Sequence, residues 1–388
     1  MRHILFALIV VGPALLLTAC GGGESTKKLP TYIQTTPARL ETMLSFSAVG
    51  LGHNHSCALT TAGEAWCWGA NDYGQLGVTT TALCSGSFVP CSAVPLRVPT
   101  NLRFTSIRGS ERHTCALGLD GKAWCWGFGQ GGQLGDGLRR DSLVPVVVAG
   151  GHVFSALEVG GGLLTCGLKV DGSAWCWGPG NAGGLGNNSP DGSPVPVQVL
   201  TSTLFAQIGA GSDHACGLDA AGRTWCWGRN SYGKLGTGLA EKALVPAASA
   251  GAMRFASIAV GGEHTCGVTA AGQAWCWGFT LALGNGGNAH SGEPVAVAGT
   301  AAFASLAAGY QHNCGLTADG MAWCWGPGGY CGNGTEEACT VPVATAGNLR
   351  YRQLSAGGVH TCGLGLDGLV WCWGHNANGA VGQPGVAP

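Results

Sequence analysis

The sequence predicts an all-β protein: a seven-bladed β-propeller of four-stranded antiparallel blades, closed by an N-terminal strand that completes the last blade. Three observations carry this expectation. The unit Trp-Cys-Trp-Gly occurs seven times, centred on Cys67, Cys125, Cys176, Cys226, Cys276, Cys324 and Cys372, at separations of 58, 51, 50, 50, 48 and 48 residues. All 14 Trp of the 388-residue chain lie in these units. Each repeat also contains four short runs of strand character between turn residues, and in the fifth these are 255–260, 264–268, 273–277 and 293–297.

Composition agrees. The chain holds 70 Gly, only 10% charged residues and 46% hydrophobic residues, which suits many tight turns around an ample core. The formal charge of −1 supplies no field for recruiting nucleic acid.

In chain order, residues 1–19 read as a signal peptide. Arg2 and His3 precede an apolar stretch from Ile4 to Leu17, too short to be a comfortable permanent span. Leu17-Thr18-Ala19-Cys20 resembles the lipobox of bacterial lipoproteins, which implies acylation of Cys20. With no Asp after the Cys, that resemblance implies the outer membrane. Residues 20–31, starting Cys20-Gly21-Gly22-Gly23, read as a flexible tether, and 32–388 as the propeller.

Within each repeat the spacing Cys-x9-Cys brackets a Gly six positions after the first Cys. A three-residue hairpin loop with that Gly in the left-handed region explains the spacing. In the second repeat the loop is Leu119-Asp120-Gly121, and counting outward sets Cys115 opposite Cys125. The same arithmetic pairs Cys57 with Cys67, Cys166 with Cys176, Cys216 with Cys226, Cys266 with Cys276, Cys314 with Cys324, and Cys362 with Cys372. Cys84 with Cys91, and Cys331 with Cys339, fall in loops of the first and sixth repeats. These nine pairs and Cys20 account for all 19 Cys and imply an oxidising compartment. Structural zinc favours Cys-x2-Cys or Cys-x4-Cys, so no metal or other cofactor is expected. Alternation puts both Trp of each unit on one face, packed against the neighbouring blade.

Trp68-Gly-Ala-Asn-Asp-Tyr-Gly-Gln-Leu-Gly77, Trp227-Gly-Arg-Asn-Ser-Tyr-Gly-Lys-Leu-Gly236 and the upstream Gly261-Gly-Glu-His264 resemble the repeat of the regulator of chromosome condensation (RCC1-like) family. The resemblance covers roughly residues 32–388 and implies a seven-bladed propeller, here as an exported bacterial lipoprotein. There are departures. Leu164 replaces the His of the third repeat, the fifth shortens the loop before Leu283-Gly284, and Cys331 replaces the Leu of the sixth. The last repeat lacks a fourth strand, and Thr36-Pro37-Ala38-Arg39 resembles it.

Six repeats place His two residues before their first Cys: His55, His113, His214, His264, His312 and His360. Sevenfold spacing separates them too widely to share one ion, so each is expected to hydrogen-bond backbone at its inner turn. No catalytic motif stands out, and the cysteines are consumed by pairing, so the chain reads as a binding protein rather than an enzyme. A hydrolase would need acids converging at the channel mouth. Variable loops carry Asn71, Asp72, Tyr73, Arg139, Arg140, Arg229 and Tyr232, the candidate contacts for a ligand.

The expected function is a scaffold at the cell envelope. It would be held by its lipid and bind an unknown protein or other macromolecule at the surface, without nucleic acid. The family resemblance implies two alternatives, inhibition of a secreted enzyme such as a β-lactamase and guanine-nucleotide exchange. Export argues against exchange.

Overall fold

The computed structural model describes residues 33–84, 87–238 and 241–382. Cys20, the expected signal segment and the tether lie outside the described residues. The described residues form one compact unit.

Twenty-eight strands make seven four-stranded antiparallel sheets. The first blade comprises Phe46–Leu51, His55–Thr60, Ala65–Ala70 and Cys91–Arg97, from innermost to outermost strand. The next five follow the same order. In the seventh, Tyr351–Ala356, His360–Gly365 and Val370–His375 are joined by Ile33–Arg39 as outermost strand. The N-terminal strand therefore closes the ring, as the sequence implied. Its register runs from Ile33 opposite His375 to Arg39 opposite Trp371, with a shift between Gln34 and Ala38 that accommodates Pro37.

Every outermost strand contains a proline: Pro95, Pro145, Pro196, Pro246, Pro294, Pro342 and Pro37. A residue with no N–H blunts an edge that would otherwise template pairing with another chain.

The hairpin arithmetic holds residue by residue. Leu117 faces Ala123, Ala116 faces Trp124 and Cys115 faces Cys125. Gly118 N–H donates to the Lys122 carbonyl, and Gly121 sits at φ +73°, a conformation costly for any residue with a Cβ. All seven hairpins are clipped by disulfides at a Cα separation of 4.1 Å. Cys84–Cys91 and Cys331–Cys339 are bonded as well. On a chain-entropy estimate each short clip stabilises by roughly 2–3 kcal/mol.

Strand limits in the fifth repeat differ slightly from expectation: the first is Ser257–Val260 and the fourth Ser291–Ala296. Phe255 precedes the first strand, its N–H donating to the Gly222 carbonyl of the preceding hairpin.

The two Trp of each unit share a face but not an environment. The second, such as Trp126, is fully buried, whereas the first, such as Trp124, is half-buried. Trp126 Nε1 donates to the Gln75 carbonyl of the preceding blade at 3.0 Å, and Trp177 repeats this with Gln133 at 3.0 Å. The Leu-Gly pair of one blade forms the floor for this ring. A Cβ at Gly135, itself at φ +71°, would lie 2.6 Å from Trp177 Nε1. The Trp-Gly…Leu-Gly frame is thus an interlock between successive blades.

The antiparallel order gives the ring two faces. One carries the inner turns before each His and the long loops from third to fourth strand. The other carries the clipped hairpins and the connections between blades. They are called the loop face and the hairpin face below.

Candidate functional site

The repeated histidines are buried, and they bond across blades rather than to backbone in their own inner turns. Nε2 of His55 lies 2.8 Å from Thr114 Oγ1, that of His113 2.9 Å from Thr165, and that of His214 3.2 Å from Thr265. His264 reaches Asn313 Oδ1 at 2.9 Å, His312 reaches Thr361 at 2.8 Å, and His360 reaches Ser56 at 2.7 Å. This corrects the backbone expectation. The sequence signal was the polar residue just after the next blade's His, or after Leu164 in the third blade, but it varies in type and lies some 50 positions away.

Five of the six partners return a bond to the histidine's own blade. Thr114 Oγ1 donates to the Gln75 carbonyl, Thr165 to Gln133, Thr265 to Lys234, Asn313 Nδ2 to Ala282 and Ser56 to Ala380. Because Asn313 Oδ1 only accepts, His264 must donate from Nε2, which fixes the neutral Nε2–H form there. Thr114, Thr165, Thr265 and Ser56 spend their one hydroxyl proton on a carbonyl, which gives the same assignment for His55, His113, His214 and His360. Burial lowers these histidines far below the ordinary 6.5, to about 3 for His55, His113, His312 and His360 and about 4 for His264. Among the described residues no cluster of His, Cys, Asp or Glu could hold a metal ion.

The candidate loop residues divide into three kinds. Asn71 is buried and shapes its own loop: Oδ1 accepts from Leu76 N–H at 3.0 Å and Nδ2 donates to the Val78 carbonyl at 2.7 Å. Arg139 is exposed yet pinned to the Gly131 and Gly192 carbonyls, and Arg229 pairs with Asp213 at 3.0 Å. Asp72, Tyr73, Arg140 and Tyr232 present surface on the loop face.

Neighbouring blades supply partners that the sequence reading missed. The Arg112 guanidinium donates to Tyr73 Oη at 3.1 Å and lies over the ring, while Phe128 meets that ring edge-on at 5.0 Å. Tyr232, at φ +60°, meets Phe279 edge-on at 5.3 Å and His290 at 4.5 Å. The structure thus gathers Tyr73 and Tyr232 into two braced aromatic clusters and leaves the other candidates apart. Phe128 and Phe279 follow their Trp-Gly units directly, which was the available signal.

Acids do approach the channel mouth. Lys234, wholly buried, bonds Asp213 at 2.5 Å and Glu263 at 2.9 Å. Arg229 takes the other Asp213 oxygen, and Tyr310 Oη reaches the other Glu263 oxygen at 3.4 Å. All four carboxylate oxygens therefore have a partner. Below, a cavity of about 250 Å³ lies along the axis, with Arg108 and Glu158 paired on its wall at 3.1 Å.

A model of the RCC1-like domain matches residues 16–350, and one of the Regulator of chromosome condensation (RCC1) repeat matches 351–380. The E3 ubiquitin-protein ligase HERC2 of Homo sapiens is 30% identical over 223 residues, 54% of this chain and 4% of that protein. The Ultraviolet-B receptor UVR8 of Arabidopsis thaliana is 31% identical over 170 residues, 43% of this chain and 37% of that one. The chain thus spans well under two thirds of these curated relatives. Among solved structures, human WBSCR16 superposes with a TM-score of 0.76 at 19% identity, covering 92% of this chain and 94% of that one. Prp20p from Saccharomyces cerevisiae gives 0.69 at 20% identity, covering 84% and 81%. At such identities the likeness concerns the fold. With the domain match covering most of its length, the chain belongs to the RCC1-like domain family.

Proposed function

We propose that this protein is a non-catalytic scaffold that captures a protein on its loop face, exported and held at the cell envelope, at the outer membrane, by lipid on Cys20. One observation carries the reading. Side chains repeated in every blade are spent inside the ring, whereas those that vary form the braced clusters Tyr73–Arg112–Phe128 and Tyr232–Phe279–His290 on one face. Rigid aromatic anchors beside Arg are the side chains that dominate protein interfaces. Nine disulfides support a compartment outside the cytoplasm. The solved Prp20p structure is described with binding to Gsp1p and histones, a precedent for protein partners on this fold.

The test is capture from envelope extract with immobilised propeller, compared with a Tyr73→Ala/Tyr232→Ala variant. Loss of the same captured protein from the variant is expected. Equal capture by both would remove the loop face from the account.

A second reading has its own observation. The Cys84–Cys91 loop, tied to the seventh blade by Ser87 Oγ to Asn378 Oδ1 at 3.0 Å, presents Phe88 almost wholly exposed. A braced, protruding aromatic suits insertion into an enzyme cleft, as inhibition of a secreted hydrolase requires. Loss of a purified β-lactamase's activity on titration, reversed by Phe88→Ser, is the expected sign. Guanine-nucleotide exchange has no such observation in its favour.

A further inference from the structure

The hairpins are alike in backbone and unlike at their tips. Three have a large aliphatic residue before Asp-Gly: Leu119, Val170 and Leu366, exposed by 74%, 86% and 68%. In each the Asp turns back into its own loop. Asp120 accepts from Lys122 N–H, Asp171 from Ser173 and Asp367 from Leu369, at 2.9–3.1 Å. The aliphatic side chain is thereby left outermost. The other four tips are Thr61-Ala62, Ala220-Ala221, Ala270-Ala271 and Ala318-Asp319.

Connections between blades follow the same division. Val153 and Leu204, both exposed, lie against the glycines of the Leu119 and Val170 hairpins, and fully exposed Met43 lies in the segment that leads into the first blade. Arg103, Arg254 and Arg350 hold the corresponding place beside Thr61, Ala220 and Ala318. The hairpin face thus carries its aliphatic tips on the seventh, second and third blades, while the first and the fourth to sixth have small ones.

We propose that these tips dip into the headgroup region of a phospholipid bilayer, so that the hairpin face rests on the membrane and the loop face points away. The proposal rests on the lipid-anchored reading and adds the orientation. Three observations favour a bilayer over a protein partner. The side chains stand apart as near-fully exposed points instead of forming a packed patch with a central pocket, the usual form of a protein hot spot. No tip carries a net positive charge: Lys122 pairs with Asp120 at 3.0 Å, Lys169 and Asp171 flank Val170, and Asp367 follows Leu366, so a zwitterionic surface suits them better than an anionic one. A half-buried Trp sits three residues beyond the tip glycine in every blade, Trp124, Trp175 and Trp371 among them, and Trp is enriched at membrane interfaces.

Chain length permits it. The closing strand starts at Ile33 on the loop-face end and reaches the hairpin-face end at Arg39, a run of about 24 Å for its 7 residues. The twelve residues between Cys20 and Ile33 reach up to about 40 Å when extended. A lipid on Cys20 can therefore enter the plane beneath the hairpins. Held there, even weak insertion becomes effectively intramolecular.

The test measures amide hydrogen exchange. The chain from Gly21 onward, with an N-terminal hexahistidine, is attached to phosphatidylcholine vesicles through a nickel-chelating lipid and compared with the same chain free in solution. Exchange at 119–121, 170–172 and 366–368 is expected to slow severalfold, with 220–222, 270–272 and 318–320 unchanged. A Leu119→Ser/Val170→Ser/Leu366→Ser variant, altered only at surface tips, should lose the protection. No slowing, equal slowing of all seven tips, or slowing only after an envelope protein is added would each overturn the proposal. Because attachment here does not use acylation, the mass of the native Cys20 peptide separately decides the anchor.

Discussion

Six of the seven joints between blades are built around a histidine, and the joint between the third and fourth is not. At the joint between the second and third blades, His113 donates to Thr165, whose hydroxyl passes on to the Gln133 carbonyl that also receives Trp177. At the exceptional joint Leu164 stands for the histidine, and Ala215 stands where the hydroxyl belongs. Only the Trp bond survives, from Trp227 to the Gly184 carbonyl at 3.0 Å. The inner turn there is one residue longer as well, Gly160 N–H reaching Leu164 where Gly261 reaches His264. Both halves of the polar pair have vanished together. That is how a cross-blade strut behaves, because a buried hydroxyl or imidazole left without its partner costs more than an apolar pair of similar shape.

The largest effect that sharpens this comparison is acid sensitivity. The buried histidines titrate far below 6.5 when folded because burial penalises their charged form, and near 6.5 when unfolded. The unfolded chain therefore binds more protons as pH falls below about 6.5. Stability is complete above that value and declines toward pH 3–4 by up to about 1.4 kcal/mol per pH unit for each histidine. Urea melts between pH 7 and 5 should show this slope. Converting one joint to Leu–Ala should lower it by about one histidine's share.

Next in size is Lys234, whose carbonyl serves the joint between the fourth and fifth blades. Lys234→Met leaves the partly buried Asp213 and Glu263 without their shared cation, Arg229 still holding Asp213, and a loss of about 2–4 kcal/mol is expected in denaturant melts. A change below about 1 kcal/mol would show that water already shares that charge.

Smaller is the single substitution His113→Leu, expected to cost about 1–3 kcal/mol. Adding Thr165→Ala should recover part of this loss, giving a coupling that the Leu164–Ala215 joint lacks. Additive costs in the double-mutant cycle would mean that the two residues do not act as a pair.

Much of the fold was legible because repetition turns local chemistry into global geometry. Gly121 fixed one hairpin register, and with it the pairing of Cys115 and Cys125. The missing outer strand of the last blade pointed to Thr36–Arg39. The joints were less legible, since His113 and Thr165 are 52 residues apart and nothing local links them. Leu164 and Ala215 held the clue, visible once blades are compared two at a time. At the loops, Asn71 read as surface although its amide is consumed by its own turn. The aromatic clusters needed Phe128 and Phe279 from the following blade.

Joints, faces and anchor all presuppose a closed circle of covalently clipped ribbons formed outside a reducing cell interior. Alkylation of the native protein after denaturation without reductant, read by intact mass, tests this most directly. The account predicts that none of the eighteen cysteines from Cys57 to Cys372 is modified. Several modified thiols in protein taken directly from the cell would contradict it.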